Sequence, residues 1–335
     1  MVTPKDIEAA HFRIAPHLHQ TPVLTSRSLN QLANAELYFK CENFQRAGSF
    51  KFRGATNTLR QLDNAALTKG VATTSSGNHG AALTLAASLQ NAHVTVVMPH
   101  NTPAVKVENV KRYGGEIVFC EPTHESREGT LSQLVERSGA TVVHPYNDER
   151  IIAGQGTAAW ELLTAHPDLD AIVAPVSGGG LLSGTLLAAQ GKNPKIRVYG
   201  AEPLEADDTI RSLEAGRIVP NLSVDTIADG LKASLGELNW GIVSRDVDTI
   251  LLAGEKLRHI HLADSNRQAP GTGHMDWLNV VRALNLINFQ GYLSIDSVPV
   301  KPDWKTLLKH SIQFMKQTEA TVALQAQIDS ECYGG

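Results

Sequence analysis

Gly48–Ser49–Phe50–Lys51–Phe52–Arg53–Gly54 is the stretch on which the reading of this 335-residue chain turns. It sets a lysine between two phenylalanines, just after a glycine, which is an odd place for a surface charge. Rings that exclude water destabilise an ammonium and lower its pKa. An amine tuned that way attacks an aldehyde more readily. The heptapeptide also admits a plainer reading, a snorkelling lysine beside the start of a half-buried helix. The choice depends on whether the chain also supplies an anion cradle for a phosphate and a second for a carboxylate.

Working outward, Thr3-Pro4 with Asp6 and Glu8 predicts a helix reaching about Pro16. His17 and His19 follow in a loop and read as solvated. Residues 36–41 form a short strand leading to the lysine. Downstream the pattern alternates: strands at 71–74, 93–98, 116–120 and 141–144, with helices at 81–89, 104–113 and 126–138. A helix at 153–163 and an apolar run at 171–176, fit for a strand buried on both faces, follow. A helix at 181–190 and a strand at 195–201 continue the series. Such alternation specifies an α/β fold with parallel strands and right-handed crossovers.

Two loops in this array carry chemistry. Ser75–Ser76–Gly77–Asn78–His79–Gly80 joins a strand to a helix and offers free amides, hydroxyls, an amide side chain and an imidazole, a receptor suited to a carboxylate. It also reads as a plain turn. Ser177–Gly178–Gly179–Gly180–Leu181 follows the apolar strand and opens a helix, so backbone amides approach an anion closely. A dinucleotide site is the rival there, with Glu202 as the ribose-binding acid. The required Gly-x-Gly-x-x-Gly fails at Ser183.

Taken together, these motifs resemble the fold-type II pyridoxal-phosphate enzymes of the serine racemase and threonine dehydratase family. The resemblance implies that Lys51 is the Schiff-base lysine beside Phe50, and that Ser177, Gly178, Gly179, Gly180 and Leu181 hold the cofactor phosphate. It implies that Asn78 contacts both cofactor and substrate, that Gly230 lies beside the cofactor ring, and that Ser75, His79 and Arg127 bind the substrate carboxylate. Ser76 matches the acid/base for the opposite face. Threonine dehydratases usually carry alanine there, so the serine leans towards racemases and hydroxyaspartate dehydratases. Gly200–Asp208 matches the divalent-cation loop of serine racemases, with Glu202, the Ala206 carbonyl and Asp208 as oxygen ligands for Mg2+ or a similar ion. The family implies a homodimer.

The resemblance covers about residues 1–250, with a small lobe of about 54–146 inserted in a larger one. Beyond it the family expects a Ser-Gly-Gly-Asn-like turn whose hydroxyl or thiol meets the pyridine nitrogen, and the sequence has none. Residues 251–335 resemble the last βα units of a xylose-isomerase-like sugar isomerase or epimerase barrel, with His261, Asp296 and Arg267 at the family's metal and substrate positions. A barrel needs about eight strands and this segment supplies about two. Its expected role is structural, a βαβα unit taking the place of the usual C-terminal part.

Bulk properties agree. With 42% hydrophobic and 19% charged residues the chain is neither disordered nor membrane-spanning, and a net charge of −4 argues against nucleic acid. The N-terminal charges do not suit a signal peptide. Cys41, Cys120 and Cys332 read as reduced thiols of a cytoplasmic protein. The favoured expectation is a pyridoxal-phosphate enzyme that racemises or dehydrates a small hydroxy amino acid. The alternatives are a chimera that binds the cofactor without turnover, and a metal-dependent sugar epimerase resting on the tail alone.

Overall fold

Thr3 starts the first helix, α1 (Pro4–Ile14), by donating its amide and hydroxyl to Asp6 Oδ2 at 2.8 and 2.6 Å. The acid at the positive end of the helix dipole and the proline in the first turn explain why the helix begins there. This computed structural model describes residues 2–75, 77–221, 224, 226, 228–253, 259–262, 270, 276–286, 292–295 and 304–333. It falls into two units, Met1–Leu252 and Ala253–Gly335.

In the first unit α1 is followed by β1 (Val23–Leu24), α2 (Arg27–Ala33) and β2 (Phe39–Lys40), with β1 and β2 paired antiparallel. The chain then turns through Ala47 and Gly48, both at positive φ, into α3 (Lys51–Leu59) and α4 (Asn64–Lys69). Next come β3 (Val71–Thr74), α5 (Asn78–Ser88), β4 (Val94–Pro99), α6 (Ala104–Arg112), β5 (Glu116–Cys120), α7 (His124–Ser138) and β6 (Thr141–Val142). They form a parallel sheet of order β5-β4-β3-β6. Strand β6 is shorter than the expected 141–144. His144 Nδ1 accepts the amides of Tyr146 and Asn147 at 3.3 and 2.8 Å, bending the chain away from the sheet.

The second half of the unit runs α8 (Glu149–Ala165), β7 (Ala171–Pro175), α9 (Gly180–Lys192), β8 (Arg197–Pro203), α10 (Asp208–Ala215), α11 (Glu237–Asp246) and β9 (Thr249–Ala253). Its sheet has the order β7-β8-β9. Strand β7 is not buried on both faces as its apolar run suggests. Ile172 and Ala174 enter the core, but Val173 between them is 58% exposed. A short apolar run looks the same whether one face or two are covered.

Helix α8 organises the unit. Ile152, Trp160 and Leu163 join one core with α1, α9 and the β7 sheet, while Ile151 joins the other with Phe52, Ala55 and Leu59 of α3. Its glycines let neighbours approach closely: a Cβ on Gly154 would lie 2.5 Å from the Gly54 Cα of α3, and one on Gly156 would lie 2.6 Å from the Gly184 carbonyl of α9. The two helices whose N-termini carry the lysine and the glycine loop are thus seated on one support.

The second unit contains β10 (His259–Leu262), α12 (Trp277–Leu286), β11 (Tyr292–Ile295) and α13 (Trp304–Tyr333). The two strands pair in parallel, His259 opposite Tyr292, and Trp277 meets Phe314 edge-on at 6.2 Å. Arg267 and Asp296 lie outside the described residues. No helix among the described residues is long and apolar enough to cross a membrane.

Candidate active site

Lys51 is the first residue of α3, and its side chain turns inward rather than snorkelling out. Nζ donates to the Pro145 carbonyl at 2.8 Å and lies 5.3 Å from the Phe50 ring centroid. Burial pushes the amine down from the ordinary lysine value to about 8. At neutral pH a useful fraction is therefore unprotonated.

Two residues on, Arg53 is fully buried and anchors the helix start. Nε and Nη2 donate to Glu42 at 2.7 and 2.8 Å, and Nη1 and Nη2 donate to Glu161 at 2.8 Å each. Nη1 also reaches Thr157 Oγ1 at 3.1 Å, and Lys40 completes the cluster on Glu161 at 2.7 Å. Two cations balance two anions, and every N–H of the guanidinium is used. Removing one member of such a buried set costs about 3–5 kcal/mol.

The first loop lies between β3 and α5. Ser75 Oγ accepts the amides of Gly77 and Gly80 at 3.3 and 3.2 Å, so its own hydrogen is available to an anion. The amides of Asn78 and His79 stand in the first turn of α5, where a helix has no internal acceptors for them. Asn78 is exposed, and Ser76 lies outside the described residues. The His79 imidazole is buried; its Nε2 lies 3.2 Å from the Val143 carbonyl. A carbonyl only accepts, so Nε2 carries the proton. Burial, with Lys51 adding to it, pushes this ring down to about 3. The imidazole is neutral.

The second loop opens α9 and is held from behind. Ser177 Oγ donates to the Ala233 carbonyl at 3.2 Å and accepts its amide at 3.0 Å. Asn239, fully buried on α11, donates to the Gly178 carbonyl at 2.8 Å and the Tyr146 carbonyl at 3.1 Å. Gly179 sits at φ +90, where a Cβ would come within 2.5 Å of Leu235 and 2.7 Å of Asn239. A Cβ on Gly178 would meet the Tyr146 ring at 2.3 Å. Gly178 and Gly179 leave no room for a side chain, and the first-turn amides of α9 have no acceptors within the helix, which suits them to an anion.

Tyr146 follows Pro145, so the lysine and the glycine loop meet on consecutive residues of one segment. Burial chiefly raises its phenol pKa, with Asp208 adding to the effect and Arg127 opposing it. Arg127, half-buried on α7, makes no ion pair among the described residues. Behind the loop, Glu202 and Asp208 are each 1% exposed. Glu202 accepts the amides of Thr209 and Ile210 at 3.3 and 2.9 Å, and Asp208 accepts that of Leu235 at 2.8 Å. Burial raises both carboxyls, Glu202 to about 7. Neither meets a lysine or arginine in an ion pair among the described residues, and Ala206 is buried in the turn between them. Two buried carboxyls with no ion-pair partner among the described residues, beside a turn carbonyl, offer the oxygen donors that a hard cation takes. Among the described residues no three or more His, Cys, Asp or Glu side chains cluster as a metal site.

Gly230 is exposed, in the loop after Asp229. Asp229 pairs with Lys106 of α6 at 2.7 and 2.8 Å, tying that loop to the β3–β6 half of the unit. Tyr146, Asn239 and the Lys106–Asp229 pair are site features the sequence reading missed. Tyr146 had a signal, since it follows the carboxyl end of a parallel strand, where ligands bind in such sheets. Asn239 had none, because a helical asparagine is ordinary until its burial is known.

The chain matches the model of the family described as pyridoxal-phosphate dependent enzymes over residues 14–256. A second model, a xylose isomerase-like TIM barrel, matches residues 233–318. The chain is 51% identical to a serine racemase of Arabidopsis thaliana over 249 residues, 74% of this chain and 75% of that one. It is 49% identical to a beta-hydroxyaspartate dehydratase of Paracoccus denitrificans over 253 residues, 76% of this chain and 80% of the relative. Among solved structures, a serine racemase from Dictyostelium discoideum superposes with a TM-score of 0.73 at 48% identity, over 75% of this chain and 81% of that one.

Proposed function

This chain belongs to the family of pyridoxal-phosphate dependent enzymes, and from that premise we propose that it racemises serine and eliminates water from small hydroxy amino acids. The residues fit the cofactor on two grounds: a buried amine on α3, and a cradle in which a Cβ on Gly178 or Gly179 would collide. When bound, pyridoxal phosphate supplies a conjugated ring that draws off the electron pair left at the substrate α-carbon.

The chain's own groups do the rest. The amides of the Gly178–Leu181 loop hold the phosphate, and Ser177 with Asn239 keeps that loop in place. Ser75, the first-turn amides of Asn78 and His79, and the Arg127 guanidinium bind the substrate carboxylate. Lys51 Nζ takes the α-proton on one face, where an amine of pKa about 8 suits general base work near neutrality. The Ser76 hydroxyl serves the opposite face. Glu202, Asp208 and the Ala206 carbonyl hold a divalent cation. Its link to the phosphate loop is Leu235, whose amide binds Asp208 and whose side chain closes on Gly179.

The observation that carries the reading is the Lys51 amine, buried on the Pro145 carbonyl one residue from the aromatic ring that lines the glycine cradle. Lys51→Ala should abolish the borohydride-reducible visible chromophore while far-UV circular dichroism stays native. A reducible chromophore persisting in Lys51→Ala would place the amine elsewhere. A second reading, cofactor capture without turnover, is favoured by the absence of a Ser-Gly-Gly-Asn-like turn after β9. Keto-acid release and D-serine formation from L-serine separate the two.

A further inference from the structure

The His79 ring is 2% exposed, donates from Nε2 to the Val143 carbonyl, and leaves Nδ1 buried as a bare acceptor with no partner. An acceptor abandoned in this way carries the desolvation penalty of its nitrogen uncompensated. A neutral ring whose one donor is committed to the backbone has nothing to offer a carboxylate. Its unused capacity is for a proton-bearing group.

The charged and titratable groups whose fields reach the ring are Lys51 of α3, and His144 and Asp148 of the segment leading into α8. Asp148 is a carboxylate bound to Arg150 and has no proton to give. His144 accepts two backbone amides at Nδ1 and has one N–H, on Nε2. The Lys51 ammonium has three, and Pro145 O takes one of them. The carbonyls that hold His79 and Lys51 belong to Val143 and Pro145, two residues apart on one segment. Among these groups the Lys51 charge acts most strongly on the ring, and its amine, on a flexible stem, is held two residues further along the same segment.

We propose that His79 Nδ1 is a second seat for the Lys51 ammonium, making His79 a positioning residue that keeps the protonated amine in the site. This rests on Lys51 being the working amine. A neutral acceptor favours the charged form, so His79 opposes the desolvation that lowers the Lys51 pKa, and its loss lowers that pKa further.

Two measurements on cofactor-free protein test this. The 15N resonance of His79 Nδ1 should move with a midpoint near the Lys51 value of about 8, and this movement should vanish in Lys51→Met. Separately, the pH dependence of Lys51 carbamylation by cyanate is followed by peptide mass spectrometry. His79→Leu should make Lys51 about fivefold more reactive at pH 7, the effect of a pKa lowered by about one unit. His79→Gln, which keeps an acceptor, should stay within about twofold of wild type. An Nδ1 resonance that is flat from pH 7 to 9, or that loses its movement in His144→Phe and not in Lys51→Met, overturns the proposal. So does equal reactivity of the Leu and Gln variants. Neither readout uses the cofactor, so failure here is distinct from failure of the Lys51→Ala chromophore test.

Discussion

The loops at Ser75–Gly80 and Ser177–Leu181 are built alike, each running from a parallel strand through glycine into a helix, yet they are opposite in mechanical character. Gly77 has φ −133, and a Cβ there would meet nothing within 4 Å. Its neighbour Asn78 is exposed, and among the described residues the loop's side-chain support comes from the Ser75 hydroxyl and the His79 imidazole on the Val143 carbonyl. Gly179 has φ +90 and is walled in by Leu235 and Asn239, while Gly178 lies against Tyr146. On the proposed assignment, the same helix-dipole physics yields an open receptor for the substrate, which must come and go, and a closed cup for the cofactor phosphate, which stays. Substrate and cofactor make those different demands.

The difference is broken most directly at Gly179. Gly179→Ala forces a side chain into the left-handed region and into Leu235, so cofactor affinity should fall more than about a hundredfold and stability by about 2 kcal/mol or more. Titration with pyridoxal phosphate and urea unfolding measure both. Retained affinity would mean that the cup is not the phosphate site.

In the open loop the largest chemical effect is expected at Ser76. Ser76→Ala should lose about a hundredfold or more of serine racemisation, while elimination from L-serine falls much less because Lys51 still serves its own face. Parallel loss of both activities would make Ser76 a binding residue.

The Glu202–Asp208 turn behind the cup, the proposed cation site, sharpens the contrast through pH. Glu202, with its folded pKa raised to about 7, binds its proton more tightly in the folded state. Its contribution to stability is therefore present below the unfolded value of about 4.5 and is lost as pH rises towards 7. In EDTA the melting temperature should drop across that window. Magnesium should restore it most at the upper end, where the carboxylates are ionised. Asp208→Ala should abolish the magnesium effect, and an equal shift in wild type and Asp208→Ala would place any cation elsewhere. The smallest effect belongs to Gly77→Ala, which should change stability by less than about 0.5 kcal/mol and leave cofactor affinity intact.

Lys51 and the two glycine-punctuated loops stand out in the chain by residue type and spacing. Glu202 and Asp208 are reached only through the family resemblance, since by themselves they read as a capped helix start. What was not legible followed from burial. The strand expected at 141–144 stops at Val142 because His144 captures two amides, which no periodicity encodes. Strand β7 was read as buried on both faces because Val173 is apolar, yet a side chain's type does not say whether anything covers it.

The amino-acid sequence by itself determined the alternation of strands and helices, the lysine between its phenylalanines, and the glycine-punctuated strand-to-helix turns, because these depend on local sterics and on residues adjacent in the chain. Tertiary structure alone decided that Pro145 receives the lysine amine, that Asn239 locks the cup, and that Arg53 is neutralised by Glu42 and Glu161. It also decided that the His79 ring stays neutral. Each of those outcomes depends on desolvation and on partners brought together from 11 to 108 residues away, and neither quantity exists until the chain has packed.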